Sequence, residues 1–374
     1  MEFRLTPEQK DFQERARRFA QKEIEPIAAQ VDEDGKIPPD MNEKLAREGF
    51  VGMLIPRQYG GTEAGMLNCV LAFEQLSYPI CQCFEAMGNN IVGRAITLCG
   101  TEEQKQRYLP LLAQGRLMGS YAFTEPGTGS DPKSLVTTAR LEGDYWVING
   151  TKRFHSMGHQ KGPAIIFANV DGTKTTAFLI DKLGEGYRCS KPFDLMMGRG
   201  LETVDTRFED LRAPKENLLG TVGGGFNILF SITAEGRLTL SAVAIALAQA
   251  ALDESVRFVR DSLVGGRQNG SLQTTKWLLA EMAMRIPPAR VTAYRIAWLT
   301  DTGQDTRMIS AVIKLFASRI ATEVTDMAMD VHGLSGLVKG SKMERIYRQA
   351  KQFDLTEGTS EVQRTIVAGS VLMQ

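Results

Sequence analysis

The stretch Thr137-Thr138-Ala139-Arg140-Leu141, Glu142-Gly143-Asp144, Tyr145-Trp146-Val147-Ile148 decides the fold. Two short runs carrying β-branched and aromatic residues flank a glycine-centred polar turn, which predicts a β-hairpin. Asn149-Gly150 follows as a turn dipeptide. The pattern recurs where 164–170 and 175–180 flank Asp171-Gly172-Thr173-Lys174, a second hairpin, and 204–208 reads as a further strand closed by Pro214. A small β domain is therefore expected over residues 118–222.

On both sides of it the apolar period becomes helical. Thr6-Pro7-Glu8-Gln9 supplies a capping hydroxyl, a proline at the first helical position and a glutamine three residues after the cap. Pro38-Pro39-Asp40 opens a second helix, 66–80 and 84–99 read as two more, and Thr101 caps another that turns Tyr108, Leu109, Leu111 and Leu112 inward. After Gly223-Gly224-Gly225, the ranges 226–261, 271–302, 305–331 and 341–352 read as helices long enough to favour a bundle. The expected fold is α+β and mainly α: an N-terminal helical domain (1–117), a middle β domain (118–222) and a C-terminal four-helix bundle (223–374). The absence of βαβ alternation disfavours a Rossmann fold.

Composition narrows the function. Lys+Arg and Asp+Glu are both 44, so the basic surplus of a nucleic-acid binder is missing. The N-terminus lacks the basic-then-apolar pattern of a secretory leader, and no run of 18 apolar residues suggests a membrane span. The five cysteines include no C-x-x-C pair and read as reduced cytoplasmic thiols. His155 and His159 are four apart, but Gly158 and the β context argue against a helical metal site there, so no metal is expected.

Two loops hold candidate chemistry. Thr124-Glu125-Pro126-Gly127-Thr128-Gly129-Ser130-Asp131 allows close approach of backbone N–H groups to a polar ligand, and reads equally as a tight turn. Leu355-Thr356-Glu357-Gly358-Thr359-Ser360-Glu361 sets a carboxylate beside a glycine and two hydroxyls. It suits a general base in a partly desolvated site, and also a helix cap on Thr359 or Ser360.

The ordered set of motifs resembles the acyl-CoA dehydrogenase family over essentially the full length. The matches are Ile55-Pro56 with Tyr59-Gly60-Gly61, Gly100-Thr101-Glu102-Glu103-Gln104-Lys105 with Tyr108-Leu109-Pro110, Thr124-Glu125-Pro126 with Gly129-Ser130-Asp131, and Asn149-Gly150-Thr151-Lys152. They continue through Met197-Gly198-Arg199, Phe208-Glu209-Asp210, Leu219-Gly220, Leu279-Ala280-Glu281-Met282, Glu344-Arg345 with Tyr347-Arg348, and Glu357-Gly358-Thr359-Ser360-Glu361 with Gln363-Arg364.

The resemblance implies the same α-β-α architecture, FAD as cofactor, and oxidation of an acyl-CoA thioester across C2 and C3, with electrons passed to an electron-transfer flavoprotein. It implies Glu357 as the base. Around FAD it implies Tyr121, Phe123, Thr124, Ser130, Phe154 and Ser156, and around the adenosine half Gln273, Asp330, Gly333, Thr359 and Glu361, partly from a neighbouring subunit. On the substrate side it implies Ser130, Arg237 and Gly358. A homotetramer is expected, built through the bundle, given the apolar content of 226–256 and 305–331. The chain departs from the family pattern at Ser262 and Gly265-Gly266, where an Arg-x-x-Phe-Gly stretch is usual, and at Ala234, His155-Ser156-Met157, Asp330 and Leu334. Two other readings stand beside this one: the same chemistry on a carrier-bound acyl group, and a non-catalytic family-derived binding protein. Glu85 and Asn89, four apart on one helix, suggest a polar face toward the acyl pocket.

Overall fold

A computed structural model describes residues 4–79 and 84–373, without the side chains of Phe84 and Glu85. Cys81, Cys83 and the Glu85 side chain therefore lie outside the described residues. The N-terminal part runs α1 (Pro7–Phe19), α2 (Ala28–Asp34), α3 (Met41–Arg47), α4 (Gly65–Leu76), α5 (Phe84–Cys99) and α6 (Glu102–Ala113). Thr6 and Thr101 each accept from the backbone N–H three residues on, and Gln9 and Gln104 reach back, so both helices begin in capping boxes. Against the expectation of a polar face toward the acyl pocket, the Asn89 amide is turned to backbone groups. It is buried, donates to the Leu112 and Leu117 carbonyls and accepts from Gly119 N–H, so it ties α5 to the end of α6.

The middle part comprises β1 (Ser120–Ala122), β2 (Thr138–Glu142), β3 (Tyr145–Ser156), β4 (Pro163–Val170), β5 (Lys174–Asp181), β6 (Tyr187–Cys189), β7 (Thr203–Pro214) and β8 (Leu218–Leu219). The sheet order is β6-β7-β3-β2-β4-β5-β8, with β1 parallel to β4. Strand β4 is buried along its whole length. Its alternate residues serve two cores: Ile165 and Phe167 pack toward the helices, while Ala164, Ile166 and Ala168 fill the interior of the β domain with Trp146 and Phe178. A period of two turns one run of apolar residues to both layers, so the β domain shares a core with the helices.

The C-terminal part has α7 (Gly225–Asp261), a small hairpin of β9 (Leu263–Val264) and β10 (Arg267–Gln268), then α8 (Gln273–Asp301), α9 (Arg307–His332), α10 (Lys342–Ala350), α11 (Gln352–Leu355) and α12 (Ser360–Leu372). The expected fourth helix stops at Ala350, and α12 also packs along α9. By length and composition α7 is apolar enough to cross a membrane, yet 83% of its most apolar window is buried inside the protein. It is the central core helix, flanked by α4, α5, α8 and α9. Gly265 and Gly266 both have positive φ, 54° and 76°. They form the two-residue turn of the β9–β10 hairpin, a conformation glycine adopts freely.

Candidate active site

Glu357 sits in the short link between α11 and α12 with φ of 54°, and Gly358 follows at 84°. Two consecutive left-handed residues turn the chain sharply and drive the Glu357 side chain into the interior. The backbone is held from behind. Gln363, fully buried, donates through Nε2 to the Glu357 carbonyl at 3.0 Å and to the Gly358 carbonyl at 2.9 Å. Lys314 Nζ donates to the Gly358 carbonyl at 2.7 Å, and Arg237 Nε approaches the Glu357 carbonyl at 3.4 Å. A Cβ at Gly358 would meet Gln363 Nε2 at 2.7 Å, so both space and φ require glycine here.

The carboxylate itself has an asymmetric setting. Tyr121 Oη donates to Oε1. Oε2 is buried without a partner among the described residues and faces Gly236 of α7, where a Cβ would stand 3.1 Å away. Burial raises the Glu357 carboxyl above the ordinary range, against the opposing pull of Tyr121, Arg237 and Lys314. A buried carboxyl with one oxygen bonded and one free is a group prepared to accept a proton.

The second loop is built on a buried ion pair. Glu125 Oε1 lies 2.7 Å from Lys152 Nζ, with side chains 1% and 0% exposed. Glu125 also accepts from Val136 N–H at 2.7 Å and Thr137 N–H at 3.0 Å, while Lys152 donates to the Phe123 carbonyl at 3.1 Å. Arg153 N–H donates to the Thr124 carbonyl at 2.7 Å. Residues 121–131 are thus laced to β3, with Ser130 exposed at the tip. Phe154 lies at the bulge where β3 loses register with β7, at φ 55° and 53% exposed. Its ring sits 5.2 Å from Phe193, with Arg153 over both rings. Ser156 Oγ is 3.2 Å from Thr203 Oγ1.

The histidines do separate work. His155 is buried between Thr206 Oγ1 at 2.9 Å and Ser120 Oγ at 2.8 Å, and burial drives its pKa down to about 3. His159 meets Glu202 at 2.8 Å.

Thr359 caps α12, accepting from Val362 N–H, and Glu361 pairs with Arg364 on its exposed face. Gln273, Asp330 and Gly333 lie elsewhere, at the far end of the bundle. Phe258 stacks on His332 there at 4.4 Å, and Asn269 bonds both Ser262 and Thr275. Along α7, 25 residues separate Gly236 from Asp261, about 37 Å at the helical rise. Lys314 to Asp330 spans about 24 Å on α9. One chain does not bring these residues to Glu357. Lys314, Gly236 and Gln363 complete the site beyond the residues that the sequence singles out. Gln363 stands in a quoted motif, whereas Lys314 has no signal beyond that of an ordinary helical lysine.

The fold and site define a helical–β–helical oxidoreductase architecture with a buried carboxylate at its centre. Models of the acyl-CoA dehydrogenase N-terminal, middle and C-terminal domains match residues 6–116, 120–211 and 223–372. The acryloyl-CoA reductase (NADH) of Anaerotignum propionicum is 36% identical, covering 100% of this chain and 96% of that protein. A subunit of the caffeyl-CoA reductase–Etf complex of Acetobacterium woodii is 34% identical, covering 96% of each. The structure of butyryl-CoA dehydrogenase from Megasphaera elsdenii superimposes with a TM-score of 0.95 at 30% identity, over 100% of both chains. The chain belongs to the acyl-CoA dehydrogenase family.

Proposed function

We propose that the protein catalyses FAD-dependent α,β-dehydrogenation of an acyl-CoA thioester, with Glu357 removing the α-proton. The observation that carries this is the free, buried Oε2 of Glu357 opposite Gly236. The half-exposed Phe154 beside Phe193, the exposed Ser130 hydroxyl and the anchored 121–131 loop suit a flat ring with a phosphate tail. Tyr121, Phe123, Thr124, Ser130, Phe154, Ser156 and Thr359 of one chain would hold FAD, with Gln273, Asp330, Gly333 and Glu361 serving the adenosine half partly from a neighbour. FAD held there would supply the acceptor for the β-hydrogen, which would leave as hydride. Glu357 takes the proton on Oε2, Tyr121 steadies Oε1, and the enclosing helices exclude water, which strengthens each polar contact. Ser130, Arg237 and Gly358 lie on the substrate side.

Purified protein incubated with excess FAD is expected to be yellow and to bleach anaerobically on adding a thioester from a panel of butyryl-, octanoyl-, branched and aromatic acyl-CoA. A colourless protein, or a yellow one inert to every thioester, overturns the proposal and leaves a binding protein. Ala234 is buried and offers no polar group at its turn of α7. This favours a second substrate class, the same acyl group on a carrier protein, and the ratio of kcat/KM for the two donors decides between them.

The electron acceptor in this reading is an electron-transfer flavoprotein, and the setting is the cytoplasm. The three domains divide at 117/118 and 222/223. The assembly is a homotetramer. Its support is a stripe on α8: Trp277, Met284, Val291 and Trp298 recur every seven residues and are 54–66% exposed. Large apolar side chains aligned on one helix face favour burial against another chain. The apolar residues of α7 are spent inside the protomer, so α8 is the interface helix. Sedimentation at micromolar concentration should give four times the chain mass, and Trp277→Glu with Trp298→Glu should lower it. A wild-type monomer contradicts the assignment.

A further inference from the structure

Lys314 is 1% exposed, and its ammonium has the Gly358 carbonyl as its hydrogen-bond partner. Burying a cation against one neutral acceptor is costly, and an apolar side chain of similar size would fill the space without that penalty. The neighbours explain the charge. Lys314 is faced by Glu357 from the loop, Asp354 from α11, Glu361 from α12 and Arg237 from α7. Asp354 is already engaged by Lys351 at 2.9 Å and Ser360 at 3.2 Å, and Glu361 by Arg364 at 3.3 Å. Among the described residues, Glu357 is the carboxylate whose only side-chain hydrogen-bond partner is a phenol, that of Tyr121.

The same helix face holds the backbone. Ser318, one turn from Lys314, donates to the Phe353 carbonyl at 2.8 Å. Lys314 and Ser318 therefore pin the two ends of the segment 353–358, and with it the left-handed turn that aims Glu357 inward. We propose that Lys314 is a positioning residue for Glu357, a buried cation that locks the Gly358 carbonyl and supplies counter-charge when the carboxyl ionises. This rests on the reading of Glu357 as the base. Arg237 supplies a second cation from α7, and Tyr121 a neutral donor from β1, so Lys314 is the charge entering from α9.

The test reads Glu357 directly. In the FAD-loaded protein, the infrared C=O band of the protonated Glu357 carboxyl, assigned by its loss in Glu357→Gln, is followed against pH without substrate. Lys314→Met should move its titration up by about one pH unit, the low end of the effect of a nearby opposite charge. Lys314→Gln keeps a donor for Gly358 but no charge and should show the same direction, whereas Lys314→Arg should titrate close to wild type. The acid limb of flavin bleaching by a competent thioester should shift in parallel, so that kcat falls roughly tenfold below the limb and little above it. A band that titrates at the wild-type pH in folded Lys314→Met and Lys314→Gln overturns the proposal, as does a loss of rate equal at every pH. Should Glu357→Gln bleach normally while the infrared shift persists, the base assignment fails and the electrostatic coupling stands.

Discussion

Glu357→Gln is expected to slow flavin bleaching by about 10²–10⁴-fold while leaving the fold and the flavin colour intact. The amide keeps the volume and still offers an oxygen to Tyr121 Oη, so the loop stays in place. It cannot accept a proton at the position of Oε2. The Glu357 and Gly358 carbonyls keep their bonds to Gln363 and Lys314, which do not involve the side chain. Rapid-mixing absorbance at the flavin band measures the rate, and thermal unfolding confirms the fold. A variant that bleaches at close to the wild-type rate places the base elsewhere.

The pH dependence has a definite sign. Burial holds the Glu357 carboxyl above the ordinary carboxylate range. A base works only when ionised, so the rate rises with pH through an acid limb displaced upward from that range. Tyr121, Arg237 and Lys314 pull the limb back down. Ligand that excludes more water pushes it up again.

What the sequence makes legible is local. The caps at Thr6 and Thr101 involve partners three residues apart, and both form as the spacing predicts. The hairpins around Gly143 and Gly172 likewise depend on contiguous residues. The π-helical turn at Ala20–Ile24 carries no such pattern, because its buried residues Ala20 and Ile24 stand four apart, a spacing that an ordinary α-helix also gives. Strand β1 is three residues long and owes its existence to pairing with β4, more than forty positions away (Tyr121 against Ile165). The site divides the same way. Glu357 and Gly358 stand together in one motif. Lys314 and Gly236 meet that motif only through the packing of α9 and α7, and in sequence they are one helical lysine and one helical glycine. Asn89 shows the converse. A polar residue on a helix face suggests a ligand, but the structure gives its amide three backbone partners.

Breaking the Glu125–Lys152 pair should cost about 3–5 kcal/mol of stability, because removing one partner strands the other charge in the interior. Lys152→Met leaves the Glu125 carboxylate with only the Val136 and Thr137 N–H groups. Glu125→Gln removes the counter-charge and leaves the Lys152 ammonium with neutral acceptors, the new amide oxygen and the Phe123 carbonyl. Each single variant should therefore unfold at lower denaturant concentration and release FAD more readily, since the pair holds residues 121–131. The double variant, with neither charge, should recover most of the loss, as well-packed neutral replacements of buried pairs often do. Burial pushes the Glu125 carboxyl up, but Lys152 and the loop N–H groups outweigh it and hold it below the usual range. The stability it contributes is accordingly present above the unfolded carboxyl pKa and is lost as pH falls through the lower folded value. A denaturant series on the four proteins measures the cycle. Additive single effects, with no recovery in the double variant, would show that the two side chains act through separate packing and that their charges are not coupled.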